Sequence, residues 1–262
     1  MRKALIILEK EWLELRSERT LWMTILIPPL LLTILPIVAV YLIGVTPDED
    51  TAQLGAIVAD PSLAGLPEPE LGQAVMGKQF GSMFLLMPLL IPSAIASYSI
   101  VGEKTRRTLE PLLAAPIETW ELLLGKCLAS LVPSMLISWG CALIFVLALR
   151  LVVLSDRVYQ VILEGGWWVL LLLGSPSLAL LMVAATVAVS GRVNDPRTAQ
   201  QVAAVVVVPI LALFVAQLLG VVVLTPLLAF IASAALAFLA ALAFAGAIAL
   251  FERENILTRW TS

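Results

Sequence analysis

Between Gln201 and Phe251 the chain runs for about fifty residues without a charged side chain, more than twice the ~20 apolar residues a helix needs to cross a bilayer. No water-soluble fold of this length has the interior to bury such a run. Apolar stretches at about 21–43, 80–101, 127–149 and 167–189 precede it. Gly220 and Thr225-Pro226 punctuate the long run and divide it into spans at about 202–223 and 226–251. The expectation is an all-α polytopic membrane protein with six transmembrane helices. Composition agrees: 61% of the 262 residues are apolar and 13% are charged, with a mean hydropathy of +1.02. Soluble domains average about 45–50% and about 25%. Six spans use about half of the chain, which leaves short loops and no separate soluble domain.

The composition of the spans excludes several chemistries. None of the six, as bounded here, contains Asp, Glu, Lys or Arg. Ion- and proton-coupled carriers keep an ionisable group in the membrane to bind the coupling ion. Histidine is absent, which removes imidazole as metal ligand, proton shuttle or catalytic base. Cys127 and Cys141 fall in one apolar run and read as small buried residues rather than a metal site. Gly125-Lys126 is followed by Cys127, and Trp120 stands where a phosphate-binding loop has its first glycine. The chain is therefore expected to be no enzyme, to hold no cofactor or metal, and to bind no nucleic acid.

Orientation follows from the basic residues. With the N-terminus inside, thirteen Lys and Arg lie in inner segments, and only Lys78, Arg150 and Arg157 lie in outer loops. An even number of spans puts both termini on the cytoplasmic side. Residues 3–17 read as an interfacial amphipathic helix, with Leu5, Leu8, Trp12 and Leu15 on its apolar face. Glu9, Lys10, Glu11, Glu14 and Arg16 take much of the remainder. Residues 44–79 and 150–166 read as outer loops, with one short strand at 52–60. Trp22, Trp167 and Trp168 lie at span ends, where indole favours the interface. Trp139 lies mid-span, off that pattern.

Within the spans, small and hydroxyl residues recur at a helical step. Ala229, Ser233, Ala237 and Ala241 repeat every four residues, a spacing that lets backbones approach closely, either between subunits or within one. Ser93 and Ser97, then Ser130, Ser134 and Ser138, follow the same step, and Gln217 sits in the fifth span. These groups either line a mildly polar route or form helix–helix hydrogen bonds.

The segment 102–126 between the second and third spans is the most informative. Glu103 to Arg107 carry charge out of the bilayer. Thr108 suits a helix cap, Pro111 is tolerated in a first turn, and Pro116 limits that helix to about two turns. A short helix held at the inner surface by two spans suits docking into a partner's cleft; an ordinary surface loop is the plainer reading.

These residues resemble the membrane subunits of ABC-2-type transporters. The shared features are Glu103-Lys104, Thr108-Leu109-Glu110, Leu112-Leu113, Pro116, Glu121-Leu122 and Gly125-Lys126, together with the elbow helix at 3–17 and the six spans. Thr105 stands where the family often has a second acid, and Arg107 where it often has Gly. The resemblance implies one ABC-2-type transmembrane domain over 1–262 in a bacterial or archaeal cell membrane. It implies two cytosolic ATP-binding cassette subunits, which hold the ATP and Mg, and a second permease, identical or homologous. It makes 102–126 the coupling segment, with Glu103, Arg106, Arg107, Thr108, Leu109, Glu110, Leu112, Leu113 and Pro116 as its contact residues. Export of a hydrophobic or amphipathic substrate follows. The competing readings are a substrate-binding membrane module without an energy source, a secondary carrier without an ATPase partner, and a membrane enzyme acting on lipids. The first lacks a reason for the 102–126 helix. The second is disfavoured by uncharged spans, and the third by the missing histidine and intramembrane carboxylates.

Overall fold

The computed structural model describes residues 2–17, 19–45, 60–105, 118–190, 193, 195–219, 222 and 225–250. Every regular element among them is helical. In chain order these are α1 (Arg2–Ser17), α2 (Arg19–Val45), a 3-10 turn (Pro61–Leu63), α3 (Glu68–Gly81), α4 (Met87–Thr105), α5 (Thr119–Val152), α6 (Asp156–Ile162), α7 (Gly165–Val169), α8 (Ser175–Ser190), α9 (Pro196–Ala203), α10 (Val207–Leu218) and α11 (Pro226–Leu250). Six stretches are long and apolar enough to cross a bilayer: Trp22–Val45, Pro69–Ser99, Trp120–Val152, Gly165–Ser190, Arg197–Gln217 and Pro226–Ile248. The all-α, six-span architecture read from the sequence is the one observed. Residues 52–59 of the expected strand lie outside the described residues. Asp60 is described, and its carboxylate caps the 3-10 turn through the Ser62 amide at 2.9 Å.

Two segments read as loops are helical. The second span begins at about Phe80 in hydropathy, yet the helical path starts at Glu68 and runs through α3, a 3-10 stretch (Ser82–Leu86) and α4. The outer loop 150–166 likewise contains α6. Hydropathy misses α3 because Glu70, Gln73 and Lys78 break its apolar run. Each of these polar groups has a partner in the fold. The Gln73 amide nitrogen donates to the carbonyls of Val40 (2.9 Å) and Val152 (3.3 Å), and its oxygen accepts from the Leu154 amide (3.0 Å). One buried amide therefore ties the ends of the first and third spans to α3. The Lys78 ammonium reaches Asp60 (2.5 Å), Ser62 (2.8 Å) and Glu164 (2.8 Å). Glu70 accepts from the Ser155 hydroxyl at 2.9 Å. Gly77 lets α3 lie directly on α6, since a Cβ there would collide with the Ile162 side chain. Together these contacts cap the end of the bundle remote from α1, called here the far end.

The core beneath the cap is apolar and aromatic. Phe84 lies 4.9 Å from Phe145 and 6.2 Å from Trp167, ring centre to ring centre. Two adjoining spans depart from α-winding at this level. The second passes through the 3-10 stretch, and the fourth through a π-helical stretch (Leu170–Gly174). Irregular winding leaves carbonyls that the helix itself does not satisfy, and lipid offers them no donor. Side chains supply one. The Trp139 indole donates to Leu171 O (3.1 Å), the Ser175 hydroxyl to the same carbonyl (2.5 Å), and the Trp167 indole to Gly81 O (3.2 Å). This contact accounts for Trp139 standing mid-span.

The far-end cap is pH-sensitive through Asp60. Burial alone would raise its pKa, but hydrogen bonds from Lys78 and Ser62 and the Lys78 charge outweigh it, so the carboxyl titrates below its ordinary value of 3.8. Its contribution is full above that value and disappears as pH falls through the lowered one. Amide protection factors over residues 60–81, corrected for the intrinsic exchange rate, should hold at pH 5 and fall only below about pH 3.8. Loss of protection already at pH 5 would contradict this.

Candidate functional site

Of the segment 102–126, expected to couple, residues 106–117 lie outside the described residues, and with them Arg106, Arg107, Thr108, Leu109, Glu110, Leu112, Leu113 and Pro116. Of Glu103 only the helical backbone is described. The two helices that carry this segment are described: α4 ends at Thr105 and α5 begins at Thr119. The site is therefore built from the roots of the segment and what holds them.

At this end of the bundle α1 packs against α5. Its inward face differs from the apolar face expected. Ile7 and Glu11 are buried and Leu8 and Leu15 half-buried, whereas Leu5 and Trp12 are exposed. A four-residue step separates Ile7 from Glu11, so both point the same way from adjacent turns. The charge at the centre of this face is neutralised by Lys126. Glu11 Oε1 lies 2.8 Å from Lys126 Nζ, and each side chain is 4% exposed. Lys126 Nζ also donates to the Ser99 hydroxyl at 2.9 Å. Lys10 approaches the Glu11 carboxylate at 3.6 Å and bridges to Glu14 at 3.3 Å. Three elements thus meet at one ammonium: the elbow-like α1, the end of the second span and the start of the third.

Electrostatics explain why the group is stable when buried. Desolvation pushes the Glu11 pKa up. The Lys126 charge and hydrogen bond, a hydrogen bond from Ser99 and the Lys10 charge push it down further, so the carboxyl stays ionised below its ordinary range. Lys126 sits near the membrane boundary. Lys126 and Arg150 are the basic residues toward either end of the third span, and the helical rise puts them ~36 Å apart, against ~30 Å for the hydrocarbon. Hydropathy starts the third span at Cys127, and the sequence also starts a helix at Glu118 or Thr119 that leads into it; helix α5 begins at Thr119 and places Lys126 nearly two turns inside a regular helix. Glu121, Lys126 and Arg150 thus belong to the same helix as the third span, and Glu70 and Lys78 to the helical path of the second, so the uncharged spans of the sequence reading are cut short of the full helices.

The remaining sequence candidates fall into two groups. Ser93, Ser97, Ser130 and Ser134 are buried within the chain, and their hydroxyls donate to carbonyls of their own helices: Leu90 (2.8 Å), Ala94 (2.9 Å), Lys126 (3.1 Å) and Ser130 (2.5 Å). Ser138 is equally buried. Gln217 is half-buried. The small-residue ridge of the sixth span divides. Ala229 and Ser233 are buried, and Ser233 faces Gly174, where an added Cβ would stand only 3.1 Å from the hydroxyl. Ala237 and Ala241 are exposed. An every-four repeat drifts by ~40° per step on an α-helix, so it winds off the packed face. The buried positions Ala229, Ser233, Ala240 and Ala247 follow the 3.6-residue period instead.

Sequence reasoning missed Glu11 and Ser99 as site residues. A carboxylate on a helix predicted to lie at the interface reads as solvated, and its partner is 115 residues away. The available signal was Lys126 itself, a lone cation opening a long apolar run. Truncating one partner leaves an uncompensated buried charge, whereas removing both does not. Glu11→Leu or Lys126→Met should each destabilise the protein by about 3–5 kcal/mol, and the two together by less than the sum of the single losses. Equilibrium unfolding in SDS titrations checks this; additive losses would show that the pair is not coupled.

Comparison with curated proteins returns no match. The family described as ABC-2 family transporter protein matches residues 5–243, which takes in most of α1, all of the first five spans and most of the sixth. Six membrane-crossing helices, an α1 packed against the root of the third span, and that match together place the chain: it belongs to the ABC-2 family and is the membrane permease component of an ABC transporter, a partner of ABC ATPase subunits.

Proposed function

We propose that this permease forms half of an export route for a hydrophobic or amphipathic substrate, in a bacterial or archaeal cell membrane with both termini in the cytoplasm. It pairs with a second permease, identical or homologous, above two cytosolic ATP-binding cassette subunits. Those subunits hold the ATP and Mg. Residues 103–118 dock into them, with Glu103, Arg106, Arg107, Thr108, Leu109, Glu110, Leu112, Leu113 and Pro116 forming the contact.

The observation that supports this best is the buried Glu11–Lys126–Ser99 contact. It ties together the two helices from which 106–117 emerges, Ser99 lying six residues before Thr105 and Lys126 seven after Thr119. A segment hung between two braced roots moves as a unit and can pass a push to the spans. The apolar character of the substrate is supported by Ser93, Ser97, Ser130 and Ser134, whose hydroxyls are spent on their own helices; the buried Ser138 hydroxyl, which has no hydrogen-bond partner, is the exception. The fifth span is the least packed within the chain, with 11% of its apolar window buried against 67% for the second. Its apolar faces and Gln217 are thus left to lipid, to a partner or to the route.

The coupling assignment is tested by charge reversal at Glu110→Arg, or across Arg106 and Arg107 together. Each variant should insert normally yet lose most permease-dependent stimulation of the co-purified ATPase, a drop of about tenfold or more, the cost of a desolvated charge mismatch. Unchanged stimulation would remove 106–117 from the coupling role. Recovery of the full chain from detergent without any nucleotide-binding partner would favour a stand-alone binding module instead.

A further inference from the structure

The fourth span parts from the third at one level. On the α1 side of that level, α8 packs closely on α5. Toward the far end, the backbone of 165–174 packs on α11 and hardly approaches α5. The change falls at the π-helical stretch (Leu170–Gly174), where the Ser175 amide donates to Leu170 O, five residues back, and not to Leu171 O. In the same winding Leu171 O would take the amide of residue 176, but that residue is Pro176, which has none. The Leu171 carbonyl is thus left to side chains, and two of them serve it. The Ser175 hydroxyl donates at 2.5 Å and belongs to the fourth span itself. The Trp139 indole donates at 3.1 Å and reaches over from the third.

Two donors on one carbonyl make the bond between the spans releasable. If Trp139 lets go, Ser175 still satisfies Leu171 O, so no carbonyl is orphaned in lipid. Only one indole N–H loses its partner, on a side chain that is 40% exposed already. The surroundings leave room for the change. A small cavity lies beside the π stretch, lined by Gly81, Ser82, Phe84, Trp167, Leu170 and Ser175 among others. The ring contact between the same two spans, Phe145 to Trp167 at 6.2 Å, is wider than the 4.9 Å pair of Phe84 and Phe145. We propose that Trp139 is a releasable clip between the outer halves of the third and fourth spans: it is closed in this structure and opens when the partner ATPase traps nucleotide. The fourth span then moves with the sixth, on which it packs along its length, and away from the third. Trp139 and Ser175 are positioning residues in this scheme. Pro176 creates the vacancy they share.

The test measures distances by electron spin resonance in the complex of the full chain with the ATPase that co-purifies with it, reconstituted in nanodiscs and diluted with unlabelled permease. Cys127 and Cys141 are buried and do not compete for label. One label sits at Leu172, the other at Leu147 of the third span or Phe238 of the sixth, all exposed. Trapping with ATP and vanadate should lengthen the Leu147–Leu172 distance by ~2 Å, the scale of helix shifts in switching proteins, and leave Leu172–Phe238 unchanged. The two donors give variants of opposite effect. Trp139→Phe keeps a ring but removes the clip, so the long distance should be present without nucleotide. Ser175→Ala makes Trp139 the one side-chain donor left to Leu171 O, so opening would orphan the carbonyl and the trapped complex should keep the short distance. A clip of merely structural value would loosen in both variants alike. A Leu147–Leu172 distance that does not change in the trapped wild-type complex overturns the proposal. So does a short distance in nucleotide-free Trp139→Phe, or full lengthening in trapped Ser175→Ala.

Discussion

Lipid offers a peptide group no hydrogen bond, and nearly every feature of this fold answers to that constraint. It makes the described chain helical throughout. It also explains the side chains found where the winding is irregular. The π stretch of the fourth span and the 3-10 stretch of the second face each other across a core of Phe84, Phe145 and Trp167. The carbonyls of Leu171 and Gly81 accept there from Trp139, Ser175 and Trp167. Remove those donors and the irregular turns would have to rewind. At the far end Gln73 plays the same part for Val40, Val152 and Leu154, where three segments stop short of one another.

Charge obeys the stricter form of the same rule. A carboxylate or an ammonium leaves water only when paired. Lys78 is enclosed at the far end by Asp60 and Glu164, and Lys126 at the near end by Glu11. The two cationic knots do different things. The far one joins α3 to the turns around it and stiffens a cap. The near one joins α1 to the helices on either side of 106–117.

Much of this was legible in the sequence, and the exceptions have physical causes. Six spans were countable because apolar runs of sufficient length have one destination. The helix over 68–81 was not, because Glu70, Gln73 and Lys78 interrupt its hydropathy, and their partners at Ser155, Val40 and Asp60 are far away in the chain. Periodicity ranks residues of α1 by polarity alone: it groups Leu5, Leu8, Trp12 and Leu15 on one apolar face and leaves Glu11 among the polar remainder, and it has no means of showing that the fold buries Glu11 on Lys126 while Leu5 and Trp12 stay exposed. The ridge Ala229, Ser233, Ala237 and Ala241 was half right: small residues do mark close packing, but a step of four drifts off a face that turns every 3.6 residues.

What the sequence determined alone was everything that follows from transfer free energy: a membrane protein, helical, crossing six times, with its scarce charge gathered at span ends. Those properties belong to local composition, and no tertiary contact can change the sign of so large an apolar excess. What only the tertiary structure decided was which charges are buried and with whom. Glu11 and Lys126 are 115 residues apart, and the energy that joins them exists only once both have lost water. Pairing of that kind depends on distance in space, so a chain read residue by residue carries the two charges but not the contact between them.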